Sequence, residues 1–160
     1  MRPGVRLSLA ALVTALLAAA CSAAGSTPAP GEDPLLTTTY GIEAEVLPDQ
    51  LTRHPRGFLY RDILAGSGAG GTAGRWVQVS YVVRLADGRE VDRAEPESPL
   101  RFRVGDGSMI PALDIAVREM QVGGVRQLVI PPRLAYGARG RGPVPPNAIL
   151  VMIARLERVE

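Results

Sequence analysis

Met120-Gln-Val-Gly-Gly-Val-Arg-Gln-Leu-Val-Ile-Pro-Pro-Arg-Leu-Ala-Tyr136-Gly-Ala-Arg-Gly-Arg-Gly-Pro-Val-Pro-Pro-Asn-Ala-Ile-Leu150 is the most informative stretch of the chain. A Gly pair at 123–124 ends a helix. Val125–Ile130 is a short apolar strand, and Pro131-Pro132 turns it into a loop that runs to a second Pro-Pro at 145–146. Another strand begins at Ile149. Loops of this length inside a compact domain are uncommon and often functional. A single Tyr among small residues and prolines, Tyr136, reads as a positioned hydroxyl.

Working outward from this stretch, periodicity assigns most of the remaining elements. From Trp76 to Leu85, Val77, Val79, Tyr81, Val83 and Leu85 share one face and Gln78, Ser80 and Arg84 the other, which predicts a half-buried strand. Asp87-Gly88 is a tight-turn signal leading to Arg89–Asp92. Leu100–Val104 alternates apolar and basic residues and stops at Gly105-Asp106-Gly107. Ile110, Leu113, Ala116 or Val117, and Met120 then recur at helical spacing, with Pro111 where a missing N–H costs nothing. Phe58–Leu64 is a further strand, and in Ile149–Val159 the residues Leu150, Met152, Ala154 and Leu156 share a face. Many strands and one helix of substance predict an α+β domain over residues 57–160. About 105 residues suffice for a core burying roughly two-thirds of the unfolded surface.

Upstream, the composition changes. Arg2 and Arg6 precede an apolar run, Leu7–Ala20, shorter than the ~20 residues of a membrane span. This is the pattern of a signal peptide over residues 1–20. The only cysteine, Cys21, follows Ala18-Ala19-Ala20. Two readings fit: a lipid-attachment Cys of a bacterial lipoprotein, or an ordinary signal that happens to contain a Cys. Residues 21–56 are read as the lipid-attachment Cys, a flexible linker over 22–34, and a partly ordered extension in which Thr37–Tyr40 has strand character and Pro48 and Pro55 interrupt. The chain would thus be exported, lipid-anchored on the outer side of the bacterial cytoplasmic membrane or held in the periplasm.

Several function classes are disfavoured. All 18 basic residues are arginines, and two of them lie in the signal; the remainder balances the 16 acidic residues. Arg133, Arg139 and Arg141 make a basic run of only three, and seven aromatics leave little for base stacking, so nucleic acid is not expected as a partner. Gly66–Gly71 fits Gly-x-Gly-x-x-Gly, but a strand rather than a helix follows, so the loop is read as mobile and not as a nucleotide site. His54 is the only histidine, and it is read as a solvated loop residue rather than as a catalytic base or metal ligand. Asp62 and Asp92 are read as solvated or capping carboxylates.

The motifs Val79-Ser-Tyr81, Leu85-x-Asp87-Gly88, Val91-Asp92, Pro99-Leu100-x-Phe102, Met109-Ile110-Pro111, Val122-Gly123, Ile130–Gly137 and Val144–Ala148 occur in order. Together they resemble the FKBP-type peptidyl-prolyl cis–trans isomerases, from about Gly57 to Glu160. The resemblance implies a bent antiparallel β-sheet wrapped around one short α-helix, with the proline ring of a substrate held between them. It implies Tyr81, Asp92, Ile110 and Tyr136 as catalytic residues and Val91, Leu100, Met109, Leu113, Met152 and Arg141 as substrate-binding residues. It also implies proline-containing polypeptides as partners and rapamycin-like macrolides as ligands, with no metal and no other cofactor. The family commonly carries aromatics at the positions of Val91, Leu100, Leu113 and Met152. Their absence predicts weak macrolide binding and modest catalysis, and leaves a non-catalytic, membrane-tethered binding or chaperone module as the alternative.

Overall fold

The computed structural model of the chain describes residues 33–160. The segment expected to be a signal peptide (residues 1–20), Cys21 and nearly all of the expected linker lie outside the described residues.

The long alternating strand β3 (Trp76–Leu85) runs antiparallel to β7 (Leu150–Val159), from Val77 opposite Val159 to Leu85 opposite Leu150. Beyond β7 lie β6 (Val125–Ile130), β2 (Leu59–Leu64) and the two-residue β1 (Thr52–Arg53), all antiparallel. The other edge of β3 is shared. Residues 76–79 pair with β5 (Leu100–Arg103) and residues 81–84 with β4 (Glu90–Ala94). Register shifts at Gln78/Val79 and Val83/Arg84 mark bulges, which bend strands and sharpen their twist.

Two apolar layers form because successive side chains of a strand leave opposite faces. On the inner face, Val77, Val79, Val83 and Leu85 of β3 meet Leu150, Met152, Ala154 and Leu156 of β7, all buried. Helix α2 (Pro111–Arg118) packs onto this face with Ala112, Leu113, Ala116 and Val117. Its N-terminal end is fixed by Asp114, whose carboxylate accepts the Gly105 N–H at 2.6 Å and pairs with Arg118 one turn on. The expected α+β arrangement, a bent sheet on one substantial helix, is the one observed.

On the outer face, Leu59, Val129 and Val151 are covered by Leu35 and Ala44. Residues 33–51 are therefore part of the packed structure. Instead of strand, Thr37 ends a one-turn helix, α1 (Pro34–Thr37). Pro34 has the fixed φ of a first helical residue, and the Asp33 side chain accepts the Leu35 N–H at 3.0 Å, so the local cap overrides the β preference of the threonines. Single 3-10 turns follow at Ile42–Ala44 and Pro48–Gln50. Gln127, fully buried on β6, donates to the carbonyls of Ala44 and Glu45 and accepts from Arg61, so the strap is held by hydrogen bonds as well as by apolar contact.

Two further expectations are corrected. His54 is not solvated: its ring stacks on Phe58 with centroids 4.3 Å apart and is only 7% exposed. Its Nδ1 accepts the Arg56 N–H at 3.0 Å, which leaves Nε2 to donate to Glu119 at 2.9 Å. Glu119 and Asp62 in turn flank the buried Arg126, so Asp62 is one half of an ion pair between β2 and β6. The Gly66–Gly71 loop is not free either. It lies against the end of α2, with Ser67 and Gly68 N–H groups bonded to the Val122 carbonyl. A Cβ at Gly71 would stand 2.2 Å from the Val117 carbonyl oxygen, so glycine there permits a close backbone approach.

Candidate functional site

The hollow between the inner face of the sheet and the start of α2 is a cavity of about 370 Å³. Its floor is Leu113, the first inward-facing large side chain of α2, with Leu150 and Met152 from β7. One wall comes from the split edge of the sheet: Tyr81 and Val83 of β3, Val91 and Asp92 of β4, and Leu100 of β5. The opposite wall is the stretch Ser108-Met109-Ile110 leading into α2, with Tyr136 and Arg141–Val144 from the long loop. All ten residues that the sequence placed at the pocket thus lie around one cavity, while Cys21, the expected lipid-attachment position, lies outside the described residues.

The polar groups in this apolar hollow are few. The Tyr81 hydroxyl donates to Asp92 Oδ2 at 2.9 Å, and Asp92 Oδ1 accepts the Arg93 N–H at 2.9 Å. Burial, then the neighbouring Asp92 carboxylate, pushes the Tyr81 phenol above its ordinary range, so it stays protonated and acts only as a hydrogen-bond group. Asp92 is an orienting acceptor rather than a free base. Ile110 precedes the first helical residue: its carbonyl accepts from Leu113 and Asp114, while its own N–H has no backbone partner among the described residues. Pro111 follows it directly, so this end of the helix offers an unspent donor at the cavity wall.

Tyr136 is placed by its loop. Pro131-Pro132 ends β6 and starts a 3-10 turn (Pro132–Leu134) whose Pro132 carbonyl collects the N–H groups of Ala135 and Gly137. Asn147 then ties back to the Gly137 carbonyl at 2.9 Å, closing the loop on itself. At the loop tip Arg141 and Val144 exchange two backbone hydrogen bonds of 2.9 Å around Gly142-Pro143. The Arg141 guanidinium sits 5.7 Å from the centre of the Tyr136 ring. At the loop base Arg133 donates to the carbonyls of Arg56 and Gly57, joining it to the turn after β1.

Val83, Ser108, Pro143, Val144 and Leu150 also line the cavity and were not anticipated. Val83 and Leu150 could have been found by alternation, being two residues from Tyr81 and Met152 on the same faces. Ser108 and Pro143 are turn residues, and no periodic signal marks them. Tyr81 and Tyr136 are the only aromatic residues in the lining.

The cavity thus combines an aliphatic floor with two phenol side chains and a helix-start backbone N–H at its wall. The pattern of FKBP-type peptidyl-prolyl cis-trans isomerase domains matches residues 69–156. FK506-binding protein 4 of Dictyostelium discoideum is 41% identical over 103 residues, which cover 64% of this chain and 28% of that protein. The crystal structure of FkpA from Escherichia coli superposes with a TM-score of 0.64 at 36% identity, covering 69% of this chain and 52% of that one. A peptidyl-prolyl cis-trans isomerase from Pseudomonas syringae pv. tomato gives 0.63 at 33% identity, covering 69% and 81%. With the fold, the cavity and these matches in agreement, the chain belongs to the FKBP-type peptidyl-prolyl cis-trans isomerase family. It spans about a quarter of the length of the curated relatives it matches.

Proposed function

We propose that this chain catalyses cis–trans isomerisation of X–Pro peptide bonds and assists the folding of exported proteins. The observation that carries the proposal is the convergence of Tyr81–Asp92, the Ile110 N–H and the Tyr136 hydroxyl on one apolar cavity floored by Leu113. Rotation about the amide is opposed by resonance, with a barrier of about 18–20 kcal/mol. Resonance puts partial negative charge on the carbonyl oxygen, and water stabilises it. A proline ring seated over Leu113 would take its amide out of water, which weakens the planar form relative to the less polar twisted one. Tyr136 O–H and Ile110 N–H would hold the flanking carbonyls so that the bond can rotate without release of the peptide. Each tenfold in rate corresponds to about 1.4 kcal/mol. NMR exchange spectroscopy on a short X–Pro peptide tests the proposal: cross-peaks that grow with added protein support it. Peptide binding without any acceleration would instead support the non-catalytic module, which the shortage of aromatic walls favours.

Export and anchoring are part of the same proposal, supported by Arg2, Arg6, the apolar run Leu7–Ala20 and Cys21. The expected mature protein partitions with membranes through an acylated Cys21. Stable anchoring takes more than one acyl chain. Cys21→Ser should release the protein or block its maturation; equal solubility and equal mature mass for wild type and variant would refute the anchor.

A further inference from the structure

The cavity has two charged residues in its lining, and they differ in what they already hold. Asp92 spends one oxygen on the Tyr81 hydroxyl and the other on the Arg93 N–H. Arg141, on the exposed tip of the long loop, has no carboxylate partner among the described residues. Its main chain is pinned by the paired hydrogen bonds with Val144, and its guanidinium lies within cation–π range of the Tyr136 ring. Arg133 and Arg139 of the same loop also have no carboxylate partner among the described residues, but of the three only Arg141 lines the cavity, beside the Tyr136 ring. From these observations we infer that Arg141 gives the site a charge preference: it selects prolines immediately flanked by an Asp or Glu side chain over those flanked by Lys or Arg. The inference rests on the isomerase reading above, since it places the proline ring over Leu113 and its neighbours at the mouth of the cavity. There a carboxylate can reach the planar fork of Arg141, which suits bidentate contact. A cationic neighbour meets repulsion instead.

The test uses peptides of the form Ala-Xaa-Pro-Phe with Xaa Glu, Gln or Lys, and a matched set with the variable residue after proline. Catalysed exchange is measured after subtracting the uncatalysed rate. Wild type should turn over the Glu peptide of at least one set about two- to five-fold faster than its Gln counterpart, and the Lys peptide more slowly, the scale of an exposed ion pair. Arg141→Gln should level the series and Arg141→Glu should invert it. Raising the salt from about 0.05 M to about 0.5 M should erode the wild-type preference, because an exposed pair is screened. A loop merely loosened by substitution would lower all peptides together and would not invert the order. An unchanged Glu-to-Gln ratio in both variants overturns the inference while leaving the isomerase reading standing. If no peptide is accelerated, the isomerase reading fails, and NMR titration decides the charge preference by itself. Equal affinity for the Glu and Lys peptides would sink it.

Discussion

Tyr136 shows how much a single residue is asked to do in this site. Its ring forms part of the cavity wall, and its hydroxyl has no acceptor among the described residues, so removing the hydroxyl alone should leave the fold intact. A hydrogen bond is worth about 0.5–1.5 kcal/mol net. Tyr136→Phe is therefore expected to lower the isomerisation rate by a few-fold to roughly tenfold with an unchanged melting temperature. An unchanged rate would mean that the ring only packs. Leu113 poses the complementary question. Its side chain is buried beneath the cavity among aliphatic neighbours, where an aromatic plate would offer more contact area. Aromatic side chains bury about 150–250 Å² each. Leu113→Trp combined with Val91→Phe should raise both catalysis and macrolide affinity, provided circular dichroism and a melt show a folded protein. Overpacking typically costs about 1–3 kcal/mol, and the melt would reveal it. A folded double variant with neither gain would show that the missing aromatics are not limiting.

At the scale of elements, the long loop between β6 and β7 is held by its own backbone more than by side chains. Gly140 has φ +66°, and a Cβ there would stand 2.3 Å from the Val144 carbonyl oxygen. Both the handedness and the close approach exclude a side chain. Gly140→Ala should displace the Arg141–Val144 tip, at a strain of order 1–3 kcal/mol. Peptidyl-prolyl turnover should fall more sharply than the melting temperature, because the sheet and α2 do not depend on this contact. Equal turnover in Gly140→Ala would show that the tip does not position the substrate. The N-terminal strap makes the opposite case, an element important for stability and remote from the site. Tyr40 donates to the Leu35 carbonyl, and burial pushes its phenol up to about 12. The unfolded chain loses that proton near 10, so the folded state retains protons that the unfolded state has released, and stability must fall as pH rises from 10 to about 12. Tyr40→Phe should flatten that alkaline decline, as read from denaturant midpoints across the range.

Considered as a whole, the molecule is a sheet with different tasks on its two faces. The inner face, α2 and the loop build the cavity; the outer face is closed by residues 33–51, which precede the matched region 69–156. Leu35 is 4% exposed among Leu59, Val129 and Val151. Leu35→Ala should cost about 2–5 kcal/mol, towards the low end because a one-turn helix can partly collapse into the gap. Isomerase activity at temperatures below the lowered melt should be unchanged, since no strap residue lines the cavity. A large loss of turnover without loss of stability would instead couple the two faces. The contact between Gly41 and the β3–β4 turn, where the Gly41 N–H donates to the Ala86 carbonyl at 2.7 Å, is the route such coupling would take.

What the sequence determined on its own is local and periodic. A period of two along residues 76–85 and 150–156 marks the inner face, because strand side chains alternate by construction. The spacing of Leu113, Ala116 and Val117 marks α2 for the same kind of reason, but the helix spans only Pro111–Arg118 and stops at Glu119, short of the Gly123-Gly124 pair read as its end. The family resemblance carried by the ordered motifs named ten residues that the structure places around the cavity. What only the tertiary structure decided involves partners far apart in the chain. Thr37–Tyr40 resembles a strand until Asp33 caps a helix and Leu35 finds Val129 and Val151. His54 resembles a loop residue until Phe58 and Glu119 enclose it. The glycines of 66–71 resemble a free loop until the end of α2 lies against them. None of these contacts leaves a periodic trace, since each depends on which surface a distant segment brings. The division of one edge of β3 between β4 and β5, which opens the cavity at Tyr81, is likewise a product of strand pairing that no single segment encodes.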